Sequence, residues 1–232
     1  MRYLLISVCL LLSLMAMAQK TEVKDTTTIS SSFYLSFNTS TPFDLIHPRY
    51  RIGITGRINE KWAVGIDLGY GSEGLNFNSD SRGTAYRLWE IRPEIYFLYS
   101  ERKKLINYFS FEVFYINHTD TFQDASYLPE GANTEVQYDR ADFQREKYGL
   151  HLKHGHLISL SNRFGLNLYY GLGLKTRDIS YKNIVNPEET DIVYAPAFFE
   201  IFKLGDSLNF KKEEGSVTGI NISAGIKVHY FF

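Results

Sequence analysis

The chain has 232 residues, 25 Lys+Arg against 26 Asp+Glu for a formal net charge of −1, and a single Cys. The near-neutral balance argues against a nucleic-acid binder. One Cys excludes a disulfide framework and a Cys-rich zinc site. A mean hydropathy of −0.22 excludes a multi-helix membrane protein, and 44% hydrophobic residues is too high for a disordered chain. The unusual quantity is the aromatic share, 16%, with 17 Tyr and 17 Phe.

Residues 1–18 open the chain with a short positive region at Arg2, an apolar stretch from Leu4 to Met15 and the small-x-small site Ala16-Met17-Ala18. This pattern predicts a cleaved secretory signal peptide, with the lone Cys9 inside the part removed. Residues 19–31 are expected to be a flexible periplasmic segment.

From residue 32 the ordering period is 2, not 3.6. Strands are predicted at 32–38, 49–57, 62–70, 85–99, 107–117, 145–159, 164–175 and 219–232. The last is the clearest: Ile220, Ile222, Ala224, Ile226, Val228, Tyr230 and Phe232 share one face, with Asn221, Ser223, Lys227 and His229 on the other. Phe231 alone breaks the alternation. Residues 62–70 and 164–175 repeat the pattern, with glycine, Asp67 and Lys175 on the second face.

Links alternate in length. Those at 58–61, 100–104 and 160–163 suit hairpin turns; those at 39–48, 72–84, 118–144 and 176–216 are longer. An even-numbered meander with short turns at one end and long loops at the other predicts an all-β, eight-stranded antiparallel up-and-down transmembrane β-barrel spanning 32–232. Long extracellular loops are expected at 72–84, 118–144 and 176–216. A ten-residue strand rises roughly 33 Å, or about 23 Å of membrane at a 45° tilt. Bulky apolar groups outside and small or charged groups inside suit a barrel in lipid. Trp62 and Tyr99 at the short-turn end, and Tyr70, Tyr86, Trp89, Tyr115 and Tyr148 nearer the long loops, are expected to form interfacial girdles.

The run Ala224-Gly-Ile226-Lys-Val228-His-Tyr230-Phe-Phe232 resembles the C-terminal strand of Gram-negative outer-membrane barrels. Trp89-Glu-Ile-Arg-Pro-Glu-Ile-Tyr96 is similar to the Arg-Pro-Glu strand of small outer-membrane barrels. The resemblance implies a location in the outer membrane and contact with its lipid. It also implies recognition of Tyr230 and Phe232 by the barrel-assembly machinery.

The inner face collects charge at Arg51, Asp67, Glu90, Arg92, Glu94, Glu112, Lys147 and Lys153. Turns centred near residues 59 and 102 would set Arg51 opposite Asp67 and Arg92 opposite Glu112, as cross-strand pairs plugging the interior. His151, His154 and His156 cannot converge on a metal, because a strand sends His151 to the face opposite the other two. Ser159 and His156 differ in parity, which disfavours a nucleophile–base pair. Gly69-Tyr-Gly71-Ser-Glu-Gly74 matches a dinucleotide string, but no helix is predicted after it.

No cofactor, metal or catalytic residue is expected, and a monomer without nucleic-acid partners is. The expected role is structural, or one of surface interaction with an extracellular partner at the long loops. The alternatives are a small-solute channel, a lipid-modifying enzyme and a secreted lipocalin-like binder. The stretch Pro196 to Gly205 reads as a short helix or as part of strands continued beyond the membrane.

Overall fold

The computed structural model describes residues 33–44, 47–75, 83–102, 104–193 and 213–232. The signal peptide expected at 1–18, the periplasmic segment expected at 19–31 and the stretch from Pro196 to Gly205 lie outside the described residues. The strands are β1 (Phe33–Asn38), β2 (Tyr50–Arg57), β3 (Trp62–Ser72), β4 (Arg87–Arg102), β5 (Leu105–Tyr127), β6 (Thr134–Ser159), β7 (Phe164–Val185), β8 (Glu188–Val193) and β9 (Gly215–Phe231). Alternating side chains give each long strand one face toward the interior and one outward. All eight strands read from alternation are present.

Every ladder is antiparallel, and the sheet closes on itself. β1 pairs with β2 on one edge and with β9 on the other, while β5 pairs with β6, so β1–β7 and β9 form a ring. One row of register partners fixes the stagger. It runs Phe37, Ile52, Leu68, Ile91, Tyr115, Tyr148, Thr176 and Thr218, yet Phe37 pairs in turn with Val228. The ring therefore closes ten residues out of step. A ten-residue stagger over eight strands tilts them by about 41° from the ring axis, given strands ~4.8 Å apart rising ~3.3 Å per residue.

β8 is not a ninth stave. It pairs only with β6, at Thr134–Gln137, just past the point where β7 leaves β6 at Arg140. β7 and β8 are one strand interrupted near Asn183 and Asn186. Both Asn residues have φ near 50°, a conformation asparagine tolerates better than most residues. The Asn186 amide donates to Asp139 Oδ2 at 2.7 Å, anchoring the break.

The link expected at 118–144 is largely strand, and so are the described residues 176–193 of the link expected at 176–216. β5 runs on to Tyr127 and β6 begins at Thr134, so only six residues turn between them. These continuations stand as a sheet beyond the ring. Its inner face holds a packed cluster of Phe122, Tyr127, Tyr138, Phe143, Ile179 and Tyr181. Its outer face is polar: Thr121 donates to Asp142 and Lys182 to Gln144. Asn183 also donates to Asp142, holding that carboxyl below the usual carboxylate range. Burial pushes the Tyr138 phenol up to about 12 and raises Tyr181 as well. The sequence misled here because 118–144 mixes aromatics with Asp, Gln and Arg, which masks the alternation.

Inside the ring, close approach needs glycine. A Cβ on Gly53 would occupy the space of the Asp67 carboxylate, and one on Gly69 that of Glu90.

Candidate functional site

The ring's interior is charged. All eight residues assigned from parity to the inner face, Arg51, Asp67, Glu90, Arg92, Glu94, Glu112, Lys147 and Lys153, are buried. Glu90 on β4 is the hub. Its carboxylate meets Arg51 Nε at 2.5 Å, Arg49 Nε at 2.8 Å and Arg92 Nε at 2.9 Å. Arg49 also reaches Asp44 at 2.9 Å and donates to the His47 carbonyl at 2.6 Å.

Arg92 links this hub to a second. Its Nη1 lies 2.9 Å from Glu112, which also takes Lys153 Nζ at 2.7 Å and His151 Nδ1 at 2.9 Å. Lys153 continues to Glu94 at 3.0 Å, and the Ser110 hydroxyl donates to Glu94 at 2.6 Å. Lys227 on β9 closes the chain, 2.7 Å from Asp67 and 3.8 Å from Glu94. Five cations and five carboxylates, Asp44 included, thus form one connected network. Aromatic faces complete its walls: Arg92 lies over Phe114 and Lys153 over Tyr169, each 4.8 Å from the ring centre.

The expected pairings need correction. Arg51 does not face Asp67: it pairs in register with Gly69 and bonds Glu90, while Asp67 faces Gly53 and bonds Lys227. The β2–β3 turn is centred one residue later than expected, because Asn59 Oδ1 accepts from both the Lys61 and Trp62 amides. The β4–β5 turn shifts likewise. Glu94, not Arg92, stands opposite Glu112, and Arg92 reaches Glu112 on the diagonal. Sequence reasoning left Arg49, Lys227 and His151 out of the charge cluster, although parity already put all three on this face. Lys147 is buried farther toward the long links, in register with Arg177 and near Arg145 and Lys175.

The outer face is the reverse. Leu152, Leu172, Ile222 and Ile52 are each more than half exposed. Trp62, Tyr70, Trp89, Tyr99 and Tyr148 are exposed on it, and Tyr115 partly so. The Trp89 and Tyr115 rings lie 5.1 Å apart toward the long links; Trp62 packs on Phe97 at the same distance toward the short turns. Tyr86 is a correction: it is buried inside, its hydroxyl donating to the Pro48 carbonyl at 3.0 Å. Tyr230 points outward against Phe164 and Phe232, and Phe232 is 70% exposed. Phe231 turns inward among Tyr34, Ile106 and Leu157, so its break in the alternation seals the short-turn end.

The three histidines separate as parity requires. His151 is buried, while His154 and His156 lie on the outer face. His154 Nε2 lies 2.8 Å from the Tyr99 hydroxyl and its Nδ1 3.0 Å from that of Tyr170. Among the described residues no group of three or more His, Cys, Asp or Glu could hold a metal ion. Ser159 donates to the Ser161 carbonyl, and His156 bonds Asn107, so the two form no nucleophile–base pair. Gly69 and Gly71 lie within β3, and among the described residues before β4 one three-residue helical turn, Glu73–Leu75, follows it. Compared with known proteins, the chain matches no family model and no curated protein.

Proposed function

We propose that the protein is an integral outer-membrane β-barrel of eight strands. On this reading its interior is closed by the charge network, and its extended sheet is an extracellular surface for structural contact or partner binding. One observation carries the reading: the polarity is inverted, with charges buried inside the ring and large apolar side chains exposed outside. A water-soluble domain showing such a face on every strand would be an aggregation hazard. A lipocalin-like binder would have its apolar face inward.

The dimensions support the same reading. From Trp89 to Tyr99, or from Tyr148 to Ile158, the outer face spans ten residues. At a 41° tilt this is about 25 Å of height, the apolar band such barrels present to lipid. Aromatic rings lie at both edges of that band. An eight-strand barrel leaves room only for side chains, and here those side chains neutralise one another. The experiment is planar-bilayer conductance of the folded mature chain. The expected result is no discrete openings above background; reproducible steps would favour a small-solute channel.

A further inference from the structure

We propose that the outward patch formed by Tyr99, Asn107, His154, His156 and Tyr170 is the interface of a twofold-symmetric dimer. Its occupant is a second copy of this chain, in place of the monomer expected from the sequence. The proposal rests on the membrane reading above.

The patch interrupts an apolar belt. On β6, His154 and His156 lie four and two residues from Ile158 toward the long links, about 10 and 5 Å inside the short-turn edge of the band. At that depth other strands turn Leu35, Ile54, Ile66, Ile95, Leu168 and Ile226 outward, each of them exposed. Four neighbouring strands build the patch: β4 supplies Tyr99, β5 Asn107, β6 both histidines and β7 Tyr170. Register brings them together, since Asn107 pairs with His156 and His154 with Tyr170. The Tyr99 ring stacks on Phe109 with centres 5.1 Å apart, and so reaches across β5 to His154.

Hydrogen bonds within the patch leave one donor and one acceptor over. His154 sits between two hydroxyls, Tyr99 at 2.8 Å from its Nε2 and Tyr170 at 3.0 Å from its Nδ1. A neutral imidazole offers one N–H and one lone pair. One phenol therefore donates to the ring, and the other accepts from it and keeps its own proton to give. His156 Nδ1 donates to Asn107 Oδ1 at 2.7 Å, which leaves Nε2 as an acceptor with no partner among the described residues. The His154 and His156 ring centres are 4.7 Å apart, so the spare donor and the spare acceptor lie at nearly one depth.

Depth and symmetry select the occupant. Acyl chains carry nothing that can bond either group. A lipid headgroup lies outside the band, about 5 Å or more from His156. A protein surface can answer at this depth, where polar side chains link spanning segments. A patch with one spare donor and one spare acceptor is complementary to its own image. A twofold axis along the membrane normal sets each phenol proton against the other copy's His156 Nε2, giving two equal bonds and the same orientation for both chains. Leu152 and Leu172 are in register beside the patch, 65% and 62% exposed, and supply apolar contact around those bonds.

Cys9 is the one cysteine of the chain and is absent from the expected mature form, so single introduced cysteines report position. Mature chains carrying Glu60→Cys in the β2–β3 turn are labelled with donor or acceptor dye. They are folded together into phosphatidylcholine vesicles, with insertion verified by heat-shifted gel mobility. Energy transfer above that of random mixing is expected, and unlabelled chain should compete it away. His156→Leu should weaken association by about tenfold, read as the lipid dilution at which transfer is half lost, and Tyr99→Phe combined with Tyr170→Phe should do the same. Under copper-phenanthroline oxidation, unlabelled Leu152→Cys should cross-link to a second copy, and Ile54→Cys on the opposite wall should not. Inserted chains without transfer, transfer unchanged by both sets of substitutions, or cross-linking at Ile54→Cys in place of Leu152→Cys would overturn the dimer and leave the membrane reading standing. If either set of substitutions prevents insertion, the two cysteine variants decide. A wild-type chain that stays outside the vesicles refutes the membrane reading itself, and the dimer with it.

Discussion

Glu90→Gln tests whether the interior network is a mutually dependent set of charges. The substitution keeps the side chain's shape and removes its charge. Three guanidiniums lie within 2.9 Å of that carboxylate. Arg49 retains Asp44 and Arg92 retains Glu112, but Arg51 has no other carboxylate within ion-pair distance among the described residues. Removing one partner of a buried pair typically costs about 3–5 kcal/mol, because the remaining charge stays desolvated. A loss of about 4 kcal/mol is therefore expected. The assay is equilibrium urea unfolding from phosphatidylcholine vesicles, followed by the emission of Trp62 and Trp89, both exposed on the outer face. Glu101→Gln is the control. Glu101 pairs with Arg57 at the short-turn rim, where an exposed bridge is worth at most about 1 kcal/mol. A Glu90→Gln loss no larger than the control would refute the reasoning.

Gly53→Val should cost about 3 kcal/mol in the same assay, since its Cβ takes the place of the Asp67 carboxylate and disturbs the Asp67–Lys227 pair. A loss within about 0.5 kcal/mol, typical of a surface change, would contradict the packing described. The Tyr138 phenol, raised to about 12, supplies a pH test in the extended sheet. An unfolded Tyr ionises near pH 10, so this contribution to stability is full below about 10 and is lost as pH rises toward 12. The difference in 295 nm absorbance between the wild-type chain and Tyr138→Phe should titrate with a midpoint near 12. A midpoint near 10 would show that Tyr138 is not buried.

Strand positions and side-chain faces were legible because a period of 2 needs no tertiary information. Partners were less so. Register depends on where each turn is centred, and Asn59 moved one turn by a residue through side-chain bonds that alternation does not encode. That shift re-paired Arg51 and Asp67 without moving either off the inner face. Arg49 shares the parity of Arg51 in the 49–57 run, so its face was legible, but its ion pair with Glu90 two strands away was not. Tyr86 was grouped with the rim aromatics although it shares the parity of Leu88, Glu90 and Arg92, which puts it on the inner face, where it meets Pro48. The continued strands at 118–127 and 134–144 were hidden by polar residues facing outward beyond the apolar band, a pattern that resembles a loop. The ten-residue stagger was not readable at all, since it exists only once all eight ladders are joined.

The most direct test is where the mature chain partitions. Cells expressing it are fractionated, and the outer membranes are washed with carbonate and urea. The account predicts that the protein stays in the membrane and runs faster on a gel unheated than boiled. Recovery in the soluble periplasmic fraction, with no heat-dependent shift, would contradict the outer-membrane reading.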